Sequence, residues 1–343
     1  MRVGLVNDLR LALEALRRVI QSMPDAEEAW CAVDGREAVM RCKEDLPDLI
    51  LMDLIMPEMN GVEATSQIMR LSPCPILVTT ATVTGNSEMV YDALAAGAVD
   101  AVETPVLGRH GRLQGAETLI RKMRCVVQIA SAEIHPELRI PKEAIVSSLQ
   151  RTSNPPLVVV GSSTGGPDAL RKVLGSLRRD CSVVIVQHLG EAYITGLANW
   201  LTEETPWKVV LAETGQTPQV GHAYLANSIQ HLVLDDQGHF DYQLEPQDHL
   251  HQPSVDVFFL SLCQRAVLPG VGILLTGMGR DGASGLGELK DNGWKTIAQD
   301  EKSSIVWGMP GTAAREGAAM QILPLDQIGD AANQYLGSLI HKS

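Results

Sequence analysis

The sequence predicts a two-domain α/β protein in which each domain is built on a parallel β-sheet. Apolar runs alternate with helical patterns five times within residues 1–125. A second series of apolar runs, separated by glycine-rich turns and helical patterns, covers residues 157–343. Residues 126–156, between them, are rich in proline and polar side chains, a composition typical of linkers. We therefore predict two α/β domains joined by a linker over 126–156.

Composition limits the classes of protein to consider. The length of 343 residues gives each domain enough chain for its own core. No apolar run is long enough to span a membrane, and a strand-like segment starts at Arg2, where a signal peptide would lie. The six cysteines form no C-x-x-C motif, which favours a reducing, cytoplasmic location. The formal net charge of −13 disfavours nucleic acid as a partner.

In the first domain, each of five predicted strands is followed by a predicted helix. The strands are RVGLV (2–6), AWCAV (29–33), LILM (49–52), PILVT (75–79) and AVDAV (98–102). The helices are expected over Arg10–Gln21, from Gly35, after Gly61, over Glu88–Ala96 and after Gly111, and Arg121–Ser131 belongs to the last of them. Short connections between alternating strands and helices predict a (βα)5 domain whose parallel sheet has flavodoxin-like strand order.

Polar residues follow several of these strands, at the sheet edge where such folds bind ligands. They are Asn7, Asp8, Asp53, Thr79 and Thr104. Two converging carboxylates, Asp8 and Asp53, suit Mg²⁺, and a carboxylate beside Mg²⁺ can accept a phosphoryl group. An aspartate at a strand end that merely caps a helix is the alternative.

The segments VND (6–8) and MDLIMPEMNG (52–61) resemble the receiver domain of two-component response regulators. The resemblance covers residues 1–125 and implies that Asp53 is the phospho-acceptor, with Asp8 as an Mg²⁺ ligand and Thr79 as the switch hydroxyl. At Asn7 receivers usually carry an acid, and at Thr104 they usually carry a lysine. Neutral groups at both positions predict a weaker hold on the metal and on the phosphoryl group.

The second domain opens with LVVVGSSTGGPDAL (157–170), which predicts a buried strand over 157–160, a glycine turn and a helix from Pro167. Gly161, Ser163 and Gly165 fit G-x-S-x-G, the pattern that exposes a nucleophilic serine at the carboxyl edge of a parallel sheet. A plain tight connection, or a cradle for a nucleotide phosphate, would show the same pattern.

Two later strands bear on this choice. SVVIVQ (182–187) is followed by His188, where a dinucleotide-binding fold would place an acid, so a bound nucleotide is disfavoured. His188 is instead a candidate general base for the serine. VGILL (271–275) leads into TGMGRDG, which places Asp281 at the same sheet edge. Asp281 could also be an ordinary turn residue before glycine. The glycines beside it would leave backbone N–H groups for an oxyanion.

Ser163, His188 and Asp281 resemble the catalytic set of the CheB family of chemotaxis protein-glutamate methylesterases. The motifs that carry this resemblance are GSSTGGP (161–167), VQHL (186–189), GHAYLA (221–226), PSVDVFF (253–259), LLTGMGRDGA (274–283), IAQDE (297–301) and WGMP (307–310). They imply a doubly wound, mainly parallel methylesterase domain over 157–343. The receiver and the esterase domain together cover nearly the whole chain, and the non-consensus receiver looks closest to the Wsp-type, surface-sensing branch.

The resemblance also implies roles and partners. Ser163 is the expected nucleophile and His188 its general base, oriented by Asp281, with Thr164 and Met278 in the oxyanion and active-site loops. The reaction is the hydrolysis of glutamate methyl esters, and deamidation of glutamines by the same acyl chemistry. Hydrolysis requires no cofactor, whereas receiver phosphorylation requires Mg²⁺. The expected partners are a methyl-accepting chemoreceptor and a CheA-type histidine kinase as phosphodonor, with no nucleic acid and no membrane insertion.

Several residues have a less specific interpretation. Five histidines lack the spacing of a metal site, and DDQG (235–238) among them predicts a hairpin turn. They are His222, His231, His239, His249 and His251. His222 and Asp256 are expected to line the cleft. Two other functions are a regulator that acts only by binding receptor or kinase, disfavoured by the intact set of three residues, and a DNA-binding regulator, disfavoured by the acidic charge.

Overall fold

The computed structural model describes residues 1–80, 87–108, 113–128, 156–227, 230–246, 252–264 and 269–340. The chain divides into two compact units, Met1–Ala132 and Glu133–Ser343. Most of the predicted linker (126–156), together with His249 and His251, lies outside the described residues. In the part of the chain that is described, no helix is both long enough and apolar enough to cross a bilayer.

The first unit contains one five-stranded parallel sheet and its helices. The strands are β1 (Arg2–Val6), β2 (Glu27–Ala32), β3 (Leu49–Asp53), β4 (Ile76–Thr80) and β5 (Asp100–Glu103). The helices are α1 (Arg10–Gln21), α2 (Gly35–Glu44), α3 (Gly61–Leu71), α4 (Ser87–Ala95) and α5 (Ala116–Gln128). The sheet order is β2-β1-β3-β4-β5, so the predicted flavodoxin-like order is confirmed. A short antiparallel pair that the sequence did not predict follows β5, formed by β6 (Val106–Leu107) and β7 (Leu113–Gln114).

Local sequence explains these elements. Helix α1 buries Leu13, Leu16 and Ile20 on one face, at the spacing that an amphipathic helix requires. Asp34 and Asn60 precede α2 and α3, and each side chain accepts a hydrogen bond from the backbone N–H three residues later, at 2.8 and 2.9 Å. Both helices therefore start with a side-chain cap, α2 shortly after β2 and α3 after a longer loop beyond β3.

The second unit contains a seven-stranded parallel sheet in the order β10-β11-β9-β8-β14-β15-β16. In chain order these strands are β8 (Leu157–Ser162), β9 (Ser182–Gln187), β10 (Lys208–Leu211), β11 (His222–Leu225), β14 (Val271–Leu274), β15 (Lys295–Gln299) and β16 (Gln321–Leu323). The antiparallel hairpin of β12 (His231–Leu234) and β13 (Phe240–Gln243) confirms the predicted turn over 235–238. The helices are α6 (Gly166–Ser176), α7 (Glu191–Glu204), α8 (Val255–Gln264), α9 (Ala283–Asp291), α10 (Met309–Arg315) and α11 (Leu325–Ile340).

The strand order reverses between β8 and β14, because the chain adds β9 on one side of β8 and later adds β14 on the other. Ligands of open α/β sheets bind in the crevice beyond such a reversal. Strand β8 is two residues longer than predicted, since Gly161 and Ser162 still pair with Val186 and Gln187 of β9. The glycine turn therefore starts at Ser163, directly above the crevice.

Candidate hydrolytic and receiver sites

Ser163 lies at the end of β8, one residue beyond the pair formed by Ser162 and Gln187. Its N–H donates a 3.0 Å hydrogen bond to the carbonyl of Thr276, which follows β14. Its carbonyl accepts a 2.8 Å hydrogen bond from the side-chain amide of Gln187 at the end of β9. The backbone of Ser163 is thus held from both neighbouring strands, which fixes the direction of its half-buried side chain.

Two glycines give the turn its shape. Gly165 has φ of +76°, a left-handed conformation that favours glycine, and it caps the start of α6. Gly277 lies so close to the serine that a Cβ built on it would be 2.8 Å from the Cβ of Ser163. The chain after β14 therefore runs directly against the Ser163 turn, and Met278 and Thr164, both half-buried, are neighbours of this contact in sequence.

His188 contacts Asp281 across the strand reversal. Its Nε2 atom lies 2.8 Å from Oδ2 of Asp281, and both side chains are more than nine-tenths buried. The backbone N–H of His188 donates to the carbonyl of Ser162 at 3.0 Å, which ties the histidine to the serine turn. A carboxylate only accepts hydrogen bonds, so Nε2 carries the proton and Nδ1 is the basic nitrogen of the neutral ring.

The carboxylate of Asp281 is bound by the start of α8. The backbone N–H of Val255 donates to Oδ2 at 2.7 Å, and the N–H of Asp256 donates to Oδ1 at 3.0 Å. The hydroxyl of Ser254 donates to Oδ1 at 2.7 Å. Burial raises the pKa of Asp281, but the bonds from His188, Asp256 and Ser254 outweigh it, so the pKa lies below its usual range. The positive end of the helix stabilises this anion further.

Asp256 is the second buried carboxyl of this region, and it accepts a 2.6 Å hydrogen bond from the N–H of Gly285 in α9. Burial, followed by the charge of Asp281, raises the pKa of Asp256 to about 7. The expectation that Asp256 and His222 line the cleft is wrong for both. Asp256 is buried beneath Asp281, and His222 starts β11 beside the start of β9, at the amino edge of the sheet opposite His188.

Sequence reasoning missed the supporting polar groups, chiefly Ser254 and Gln187. Ser254 also accepts a 3.3 Å hydrogen bond from Val257, as a helix N-cap does, and serine before an apolar helical pattern is the usual signal for such a cap. That signal predicts the start of α8. It says nothing of the bond to Asp281, which joins residues 27 positions apart.

The receiver site lies at the carboxyl edge of the first sheet. Asp53 pairs in register with Thr79 of β4, whose buried hydroxyl has no hydrogen-bond partner among the described residues. The hydroxyl of Thr104, just after β5, is likewise unpaired in that part of the chain. Burial raises the pKa of Asp53 to about 6, with a smaller contribution from the charge of Asp8.

Asn7 is buried beside these carboxylates, directly after β1. Its Oδ1 accepts a 2.8 Å hydrogen bond from the N–H of Leu9, so the amide already orders its own loop. The described residues contain no group of three or more carboxylate, histidine or cysteine side chains arranged to hold a metal ion. The charge of Asp8 acts on Asp53, so the two carboxylates are near each other. Oxygen ligands of this kind suit Mg²⁺, and the site offers two anionic ligands because Asn7 is neutral.

Comparisons with known proteins cover both units. The family model for CheB methylesterases matches residues 158–332, and the model for response regulator receiver domains matches residues 3–111. A protein-glutamate methylesterase/protein-glutamine glutaminase 1 of Cupriavidus pinatubonensis is 44% identical over 330 residues, 96% of this chain and 95% of that protein. A protein-glutamate methylesterase/protein-glutamine glutaminase 4 of Burkholderia thailandensis is 44% identical over 334 residues, 96% of each chain. The solved catalytic domain of Thermotoga maritima CheB methylesterase is 29% identical, with a TM-score of 0.49, and covers 54% of this chain and 100% of that one.

Proposed function

The chain belongs to the CheB methylesterase family, and we propose that it hydrolyses glutamate methyl esters of a methyl-accepting chemoreceptor through Ser163, His188 and Asp281. Deamidation of receptor glutamines follows the same chemistry, with ammonia leaving in place of methanol. Both activities are named for the two relatives above, which align with almost the whole chain. The receiver domain makes the hydrolysis a regulated output of a chemosensory pathway.

The contact between His188 and Asp281 beside the Ser163 turn is the observation that carries this proposal. Ser163 attacks the ester carbonyl while Nδ1 of His188 takes its proton, and Asp281 stabilises the imidazolium through Nε2. In the usual serine hydrolase the aspartate binds Nδ1 of the histidine and Nε2 takes the proton of the serine. Here the two nitrogens exchange these roles, because Asp281 binds Nε2. The N–H of Met278 and the Thr164 segment stabilise the oxyanion. Protonation by His188 releases methanol, and water then frees the glutamate.

For the receiver, the proposal is that Asp53 accepts a phosphoryl group from a CheA-type histidine kinase. Asp53 and Asp8 would hold Mg²⁺, which shields the negative charge of the incoming phosphoryl group. The buried hydroxyls of Thr79 and Thr104, unpaired among the described residues, support this role because each can donate to a phosphoryl oxygen.

The test is methanol release from receptor membranes that carry radiolabelled methyl esters. The full chain should release label, faster with a small-molecule phosphodonor and Mg²⁺, and the Ser163→Ala variant should release none above background. Release by both proteins at equal rates would mean that another residue is the nucleophile. Absence of release by the wild-type protein under both conditions would refute the methylesterase function.

A further inference from the structure

Two buried carboxyls lie near each other at the hydrolytic site, and the proposed mechanism uses only one of them. Asp281 faces His188, whereas Asp256 lies on the far side of Asp281, only 9% exposed. The negative charge of Asp281 is one of the causes that raise the pKa of Asp256. Burial and a neighbouring like charge both favour the protonated form of a carboxyl, so Asp256 keeps its proton to a higher pH than an ordinary aspartate does.

The two residues also cap each other's helices. Asp281 precedes α9, yet its carboxylate accepts the N–H groups of Val255 and Asp256 at the start of α8. Asp256 belongs to α8, yet its carboxyl accepts the N–H of Gly285 in the first turn of α9. The reciprocal bonds lock the starts of α8 and α9 together. Asp281 lies between them, so its position depends on both.

We propose that Asp256 is a positioning residue of the hydrolytic site, which holds the Asp281 carboxylate at the distance and angle that His188 requires. This inference rests on the proposed function of Asp281. The carboxyl of Asp256 accepts from the N–H of Gly285, and this bond holds the first turn of α9, which follows Asp281, against α8. The backbone N–H of Asp256, together with the hydroxyl of Ser254, binds Oδ1 of Asp281, the oxygen that does not bind His188. No proton moves from Asp256 during the reaction, so it acts only through Asp281.

Substitutions separate this role from simple support of the fold. Asp256→Asn keeps an oxygen for the Gly285 N–H and, like the protonated acid, carries no charge beside Asp281. Asp256→Ala removes that oxygen. Asp256→Leu fills the volume without the bond and replaces the alanine variant if that does not fold. Leu262→Ala is the control for destabilisation, since Leu262 is buried in the same helix and has no polar contact with the site.

The experiment uses the full chain with phosphodonor and measures kcat and KM for methanol release. Asp256→Ala should lower kcat by about 10- to 100-fold, because small displacements of positioning groups have effects of this size, and leave KM within about twofold. Asp256→Asn should recover most of that loss. Leu262→Ala, compared at matched distance from its melting temperature, should keep kcat within about twofold.

A second readout does not depend on the substrate. The Nε2 proton of His188 lies in a 2.8 Å hydrogen bond to Asp281 and should give a downfield ¹H NMR signal. That signal should persist in Asp256→Asn and in Leu262→Ala, and shift or broaden in Asp256→Ala. An unchanged signal with unchanged kcat in Asp256→Ala, or equal losses in Asp256→Ala and Leu262→Ala, would overturn the proposal. A wild-type protein with this signal but no methanol release would count against the proposed function alone.

Discussion

The hydrolytic and receiver sites both place an aspartate at the carboxyl edge of a parallel sheet, yet the pKa values of the two aspartates are shifted in opposite directions. Asp281 accepts hydrogen bonds from four donors, and its pKa lies below the usual range. Burial and the nearby charge of Asp8 raise the pKa of Asp53 to about 6. The carboxylate of the hydrolytic site is therefore hydrogen-bonded by the protein itself before substrate arrives. Among the described residues, no cationic group contributes to the pKa shift at Asp53, which suits a switch site proposed to bind Mg²⁺.

The largest expected effect in either region is the loss of the nucleophile. Ser163→Ala should lower kcat for methanol release by about 10⁶-fold, as removal of a serine nucleophile does in other hydrolases. Ser162→Ala is the matched control, because Ser162 is the adjacent serine but is buried with its hydroxyl bound to Gln187. It should cost less than about tenfold. A larger loss in Ser162→Ala than in Ser163→Ala would reassign the nucleophile.

A smaller loss of kcat is expected when the side chain at position 281 keeps its shape but loses its charge. Asp281→Asn should lower kcat by about 10⁴-fold or less, since it disfavours the required tautomer of His188 without removing the base. Circular dichroism should show both units folded. A folded variant with full activity would mean that the four hydrogen bonds to Asp281 serve stability alone.

The difference between the sites also explains what the sequence could reveal. Each predicted strand of the first domain is a short apolar run followed by a polar residue. The five-stranded sheet and the edge that carries its functional residues can therefore both be predicted from the sequence. Ser163 and His188 follow strands in the same way. Asp256 and Ser254 act on Asp281 through the packing of α8 against α9, across more than 20 positions, and no local pattern encodes that. His222 was misplaced because it precedes its strand, which puts it at the opposite edge.

Separating the two domains should show how strongly the receiver domain inhibits the hydrolytic site. We expect removal of residues 1–140 to raise basal methanol release by about 5- to 150-fold, the range of ordinary coupling between sites. Asp53→Asn in the full chain is the control, which should keep basal activity and lose the response to phosphodonor. An isolated esterase half that is no faster than the full chain would show that the receiver does not inhibit.

The pKa of Asp256, about 7 in the folded chain, predicts a pH dependence of stability in the hydrolytic unit. Between about pH 4 and pH 7 the folded chain keeps a proton that an unfolded aspartate releases, so this residue's contribution to the free energy of unfolding falls as pH rises. Asp256→Asn has no such proton. Its stability relative to wild type should rise with pH by up to about 1.4 kcal/mol per pH unit.

Denaturant unfolding of the C-terminal unit at several pH values between 4.5 and 7 measures this slope. Asp281 lies against Asp256 and contacts His188 in turn, but the lowered pKa of Asp281 places its own titration below this window. Asp330→Asn, at an exposed position of α11, is the control and should give a slope near zero. Equal slopes for the two variants would mean that Asp256 is ionised throughout.

The smallest expected effect concerns the two departures from the receiver pattern. Asn7→Asp adds a carboxylate beside Asp53 and should tighten Mg²⁺ binding on the order of tenfold by Coulomb attraction. The Leu9 N–H keeps its acceptor in this variant, so the loop is retained. Thr104→Lys adds an ammonium group that can contact phosphoryl oxygens and should prolong the phosphorylated state. The double variant should therefore respond more strongly to phosphodonor than wild type does.

Thr104→Val tests whether the Thr104 hydroxyl donates to the phosphoryl group. Its side chain has the shape of threonine without the hydroxyl, and that hydroxyl has no partner among the described residues, so stability should change little. If the Thr104 hydroxyl donates to the phosphoryl group, the valine variant should respond more weakly than wild type, and the lysine variant should gain only slightly. Mg²⁺ titration and phosphodonor-dependent methanol release, measured for all four variants, decide between these cases. Unchanged Mg²⁺ affinity and unchanged activation in the double variant would show that Asn7 and Thr104 do not limit the switch.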